Sequence, residues 1–273
     1  MSPRVFLTAC IPAIFLALSL IRASASLAHE FWIEPQEFQV KSGAPLVINL
    51  RNGQRFSGIS LGYFSKNVQR FDLIQQGRVD AVQGRMGDVP ALKTTAAGDG
   101  LLVVVHETNA SQLSYATWEK FQAFADHKDF PDIQARHLAR GLPDTGFSET
   151  YTRHAKALIA IGAGAGADAP TGMEAEFVAL TNPYTDDLSP GFSVQLLYQG
   201  APRANTQIEV FSRDPAGTVA ITRQHTDATG HAVIMVHPGH QYLLDAVVLR
   251  PPAQESDSAW ETLWAALTFA VPE

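Results

Sequence analysis

Nine histidines and a single cysteine bound the chemistry open to this chain. Cys10 lies inside an apolar N-terminal run, so a metal would be held by His, Asp, Glu or a free terminus. His29 is set apart by its position. It follows Ala23-Ser-Ala-Ser-Leu-Ala28, a small-residue stretch with Ser26 and Ala28 at the −3 and −1 positions of a cleavage site. A cut after Ala28 makes His29 the first residue. Its α-amine and imidazole Nδ1 can then chelate Ni(II), Co(II), Cu(II) or Zn(II). An α-amine ordinarily titrates at about 7.7–8.0, so a metal can displace its proton near neutrality. A cut after Ala25 leaves Ser26 first and His29 an ordinary imidazole.

A chelating pair alone is not a full site, and the chain offers further imidazoles. His106 ends the apolar run that begins at Gly100 and is followed by Glu107, which suits a ligand at a sheet rim. His127 falls near the end of a helical stretch, and His137 can join it if the chain folds back at Pro131. His29, His106, His127 and His137 are the candidate metal ligands. The competing readings are plain ones: a hydrogen-bonded strand-end histidine for His106, and a partner of the helix dipole for His127. His154 reads as structural, and His237-Pro-Gly-His240 as a solvated turn. No HExxH, nucleophile elbow or Gly-rich nucleotide loop is present, so no catalytic residue is assigned.

The elements that must position these residues are mainly β. Residues 1–28 read as a signal peptide, with Arg4 before a nearly unbroken apolar stretch from Val5 to Ile21. Residues 29–161 form a β-rich domain with a helical insertion at about 115–142, where Trp118, Phe121 and Phe124 recur at helical spacing. In "ETYTRHAKALIAIG", Glu149, Tyr151 and Arg153 share a strand face, which predicts a Glu–Arg pair. Residues 162–173 are a Gly/Ala linker. Residues 174–273 hold short strand-like runs separated by turns, the pattern of an immunoglobulin- or transthyretin-like β-sandwich. Trp260 and Trp264, on its last apolar run, read as core residues.

A formal charge of −7, which becomes −9 once Arg4 and Arg22 leave with the leader, argues against nucleic acid as a partner. The processed chain would hold no thiol, hence no disulfide. Nothing after residue 28 is long and apolar enough to span a membrane as a helix. A periplasmic location is expected.

Several segments together carry a resemblance: "AHEFWIEP" after the leader, "ETYTRHAKALIAIG" before the linker, "NPY" at 182–184, "YQGAP", "TDATGHA" and "WETLWAALTF". The chain resembles the exported domain family known as the periplasmic component of nickel/cobalt uptake systems. The resemblance implies a β-rich first domain, a sandwich second domain, and delivery of Ni(II) or Co(II) to transporter subunits in the membrane. It transfers one residue, His29, which stands where the family's post-signal histidine stands. The expected function is therefore metal binding without turnover. Two alternatives come from other classes: a copper histidine-brace oxidoreductase, and a metal-free β-sandwich interaction module.

Overall fold

In the computed structural model, residues 29–253 and 256–273 are described. The expected signal peptide, residues 1–28, lies outside them. In chain order the first strands are β1 (Glu30–Pro35), β2 (Gln39–Val40), β3 (Pro45–Gln54), β4 (Ser57–Leu61), β5 (Val68–Gln75), β6 (Arg78–Ala81), β7 (Leu92–Thr95), β8 (Gly100–Thr108) and β9 (Ser111–Tyr115). The helices α1 (Trp118–His127) and α2 (Ile133–Ala139) follow, and then β10 (Phe147–Ile161) and β11 (Ala175–Ala179). The remaining strands are β12 (Phe192–Tyr198), β13 (Ala201–Pro202), β14 (Gln207–Arg213), β15 (Val219–His225), β16 (His231–Ile234), β17 (Gln241–Arg250) and β18 (Trp260–Ala270). The chain is mainly β with a small helical insertion, as the sequence predicts.

Three sheets stack as layers. The middle one has ten strands, ordered β15-β14-β17-β18-β10-β8-β5-β6, with β2 and β9 also paired to β10. Strand alternation gives it two apolar faces. Leu101, Val103 and Val105 of β8 join a core with Phe177, Phe192 and Val194 of the sheet built from β11, β12, β13 and β16. Leu102 and Val104 point the other way, into a core with Trp32, Ile33 and Ile48 of the sheet built from β1, β3, β4 and β7. The unbroken apolar run of β8 thus reflects burial on both faces. The helices cover one end of the middle sheet. Phe121 stacks on Trp260 and Phe124 on Trp264, with ring centroids 5.9 and 5.7 Å apart. Both tryptophans are core residues.

Strand β10 runs through the centre. Its start pairs with β9, its middle runs parallel to β18 from Glu149↔Trp260 to Ala157↔Thr268, and its end pairs with β8. One hydrogen-bonded sheet therefore crosses the sequence boundary at the Gly/Ala stretch. That stretch is itself bonded down. Leu101 N–H donates to the Ala165 carbonyl at 2.8 Å, and the Asn182 amide donates to the Gly164 and Gly166 carbonyls. Gly164 has a positive φ, and a Cβ there would sit 2.7 Å from that of Ala160, so both backbone shape and space call for glycine. Beneath it the fully buried Lys156 ammonium lies 3.1 Å from Asp168 and 3.3 Å from Glu176.

Replacing Lys156 by Met would leave two carboxylates facing each other without a buried cation. The expected loss is about 3–5 kcal/mol of unfolding free energy, measured by urea denaturation. A loss within the error of the measurement would show that this cluster does not hold the stretch.

Candidate functional site

The residues just after the expected cleavage point form β1, and their types explain why they dock. Trp32 and Ile33 are fully buried, and the Trp32 ring meets Phe56 edge-on at 5.5 Å. All six residues of β1 pair with β3. Thr268 Oγ1 donates to the Ile33 carbonyl at 2.7 Å, and Glu34 takes ion pairs from Arg51 and Arg213 at 3.0 and 2.6 Å. Alternate side chains of β1 line different cavities: Glu30 faces one of about 570 Å³, and Phe31 one of about 300 Å³.

The larger cavity is built on charge. Lys128, just past α1, contacts the Glu209 carboxylate and lies 2.7 Å from Asp245, while its ammonium sits over the Trp264 ring at 4.7 Å. Glu209 also faces His127 Nε2 at 2.9 Å and Arg223 Nε at 3.2 Å. Burial alone would raise the Glu209 carboxyl; the His127 hydrogen bond and the Lys128 charge outweigh it and pull its pKa down to about 2. Glu30 goes the other way. Burial first, and then the nearby Asp245 carboxylate, push its carboxyl up to about 7. Its Oε2 accepts one backbone N–H, from Arg55 at 3.1 Å.

The predicted ligands fare differently. His29 has an exposed side chain, and its carbonyl accepts a hydrogen bond from the Arg153 guanidinium. His127 is at the cavity rim, but both ring nitrogens are engaged: Nε2 with Glu209, and Nδ1 with Arg223 at 2.8 Å. His137 is buried against α1. Its Nδ1 accepts from the Trp260 indole at 3.0 Å and its Nε2 bonds the Pro143 carbonyl at 3.0 Å. His106 is 2% exposed, with its ring between Phe31 and Phe71, each 5.2 Å away. Among the described residues, no three His, Cys, Asp or Glu side chains converge where they could hold a metal ion.

The expected Glu149–Arg153 pair does not form as an ion pair among the described residues. Glu149 is fully buried and takes hydroxyl donors from Tyr115, at 2.7 Å, and Thr262. Arg153 instead stacks over Tyr151 and Trp264. Sequence reading also passed over Lys128, Glu209, Asp245 and Arg223. A signal was present for two of them: single acids interrupt apolar strands in "QIEVF" and "YLLDAVV", where an inward carboxylate must find a buried cation. That cation comes from 81 and 117 positions away in the chain.

Residues 26–250 match the family described as a domain of unknown function, DUF4198. That match carries no statement about nickel or cobalt. No curated protein matches the chain. Among solved structures, a tetra-tandem repeat in the extending region of a large adhesion protein aligns with 89% of this chain and 49% of its own, at 11% identity and a TM-score of 0.20. Dimeric latent PorU from Porphyromonas gingivalis aligns with 91% of this chain and 21% of its own, at 9% identity and a TM-score of 0.18. Scores this low carry no argument about fold or function.

The Glu209 carboxyl has an ordinary pKa of 4.5 and is held at about 2 in the fold. Its contribution to stability is complete above about pH 4.5 and is lost as pH falls through about 2. The protein should lose on the order of 3 kcal/mol over that window that a Glu209→Gln variant does not lose. Urea unfolding at stepped pH measures it, and parallel profiles for the two proteins would contradict it.

Proposed function

Since the chain belongs to the DUF4198 family, described only as a domain of unknown function, its activity has to be read from its own residues, and we propose that it is an exported, non-enzymatic module that binds a divalent transition metal. Ni(II) or Co(II) is the cargo that the resemblance favours, with Cu(II) or Zn(II) open to the same donors.

The observation that supports this reading is the mounting of His29. Its imidazole is exposed to solvent. Its carbonyl is gripped by Arg153, and the next six residues are paired to β3. Processing after Ala28 would free the α-amine beside that imidazole on a rigid base. Two protein donors leave the remaining coordination positions open to water or to a receiving ligand. An open, exposed site of this kind suits exchange and delivery, whereas structural metal sites are closed by four protein ligands.

The anticipated contributions of His106, His127 and His137 do not enter this reading, because their rings are caged or bonded elsewhere. Delivery needs a separate membrane partner, since no helix among the described residues is long and apolar enough to cross a bilayer. The membrane subunits of an uptake system would be that partner.

Calorimetric titration of Ni(II) or Co(II) into protein beginning at His29 should give one site per chain. Replacing His29 by Ala should weaken it at least tenfold, and lowering the pH should weaken it progressively as protons compete for both nitrogens. Absence of binding, or binding indifferent to His29→Ala, would overturn the proposal.

A further inference from the structure

The smaller cavity is lined by two buried polar groups whose hydrogen-bonding capacity the fold leaves largely unspent. The first is the His106 ring. It is 2% exposed, and neither nitrogen has a hydrogen-bond partner. Burial pushes its pKa down to about 3, so the ring is neutral, with one N–H donor and one acceptor. The second is Arg153, 8% exposed. A buried guanidinium ordinarily sits against a carboxylate, because an unpaired buried charge is costly. Here none of the described carboxylates forms an ion pair with it. Asp245, Glu149 and Glu30 act on it only at longer range. One guanidinium nitrogen, Nη1, donates to the His29 carbonyl; the other two make no hydrogen bond among the described residues.

Both groups line one cavity of about 300 Å³. Its walls mix apolar side chains, among them Phe31 and Leu61, with polar ones such as Asn52 and Thr108, and Tyr151 lies beside Arg153. A cleft of this size, with apolar surface beside a buried cation, suits a small molecule that is charged at one end. The planar fork of an arginine matches a carboxylate. The His106 ring lines the wall with its carbon edge, and both its nitrogens are closed to solvent.

We propose that the cavity between β1, β8 and β10 binds a small organic carboxylate with a ring-sized body, its carboxylate on the open edge of the Arg153 guanidinium. The ligand's charge would complete the pairing that the fold leaves open. Its body would replace water against Phe31 and Leu61. No metal takes part, although Arg153 is shared with the mount of His29, so binding of the acids is read in metal-free protein.

The test uses the full processed chain without added metal and three probes: benzoate, 4-hydroxybenzoate and the uncharged 4-hydroxybenzyl alcohol. Binding is followed by chemical-shift changes in two-dimensional amide NMR spectra and by calorimetry. The acids should bind at one site per chain, with shifts confined to β1, β8 and β10. The alcohol should bind at least tenfold more weakly than 4-hydroxybenzoate. Arg153→Met should weaken both acids at least tenfold. Because Arg153 also holds the His29 carbonyl, Leu61→Trp, which fills the cavity and leaves Arg153 in place, provides a second variant; it should weaken both acids at least tenfold. Thermal melting checks that each variant is folded. Failure of both acids to bind at millimolar concentration would overturn the proposal. So would equal binding of acid and alcohol, or unchanged binding in a folded Leu61→Trp protein.

Discussion

A buried arginine with no carboxylate partner among the described residues holds the start of this structure in place. Arg153 projects from β10, the strand at the centre of the ten-stranded sheet, and its guanidinium grips the carbonyl of His29. Burial works against its charge, and the rings of Tyr151 and Trp264 lie against the cation. Everything proposed about the chain's first residues depends on that contact. It fixes His29 where β1 begins, and the pairing of β1 with β3 then turns Glu30 toward one cavity and Phe31 toward the other.

The same strand explains how the two halves of the sequence become one framework. β10 pairs with β8 and β9 from before it and with β18 from the far end of the chain. Lys156, three residues beyond Arg153, is sealed against Asp168 and Glu176 under the Gly/Ala turns. Lys128 joins the helical insertion to Glu209 of β14 and Asp245 of β17. Each ammonium therefore ties together segments far apart in sequence. Buried ion pairs are weak sources of net stability, but removing one partner is expensive, so such clusters strongly penalise wrong assemblies of otherwise interchangeable apolar strands.

What could be read from the sequence divides along the same line. Periodicity is a local signal. It located the β-rich character, the helical insertion broken at Pro131, and the core role of Trp260 and Trp264. Aromatic residues after His29 foretold that the terminus docks, and Trp32 and Ile33 are indeed fully buried. Partner choice is not local. Glu149 and Arg153 share a strand face, yet hydroxyls claim the carboxylate and aromatic rings claim the guanidinium. His127 and His137 lie close in sequence to one another, but Glu209, Arg223 and Trp260 reach them first. An imidazole's neighbours across a sheet cannot be counted from spacing along one strand, and a histidine-rich first half therefore suggested more ligands than the fold leaves free.

The central claim is that processing itself creates the metal site, by placing a free amine beside the fixed imidazole of His29. The most direct measurement compares Ni(II) affinity, by calorimetry, for two chains identical except at their start. One begins at His29, and the other at Ser26, the product of the alternative cut. The account predicts at least tenfold tighter binding to the chain that begins at His29. Equal affinity for the two chains would contradict it.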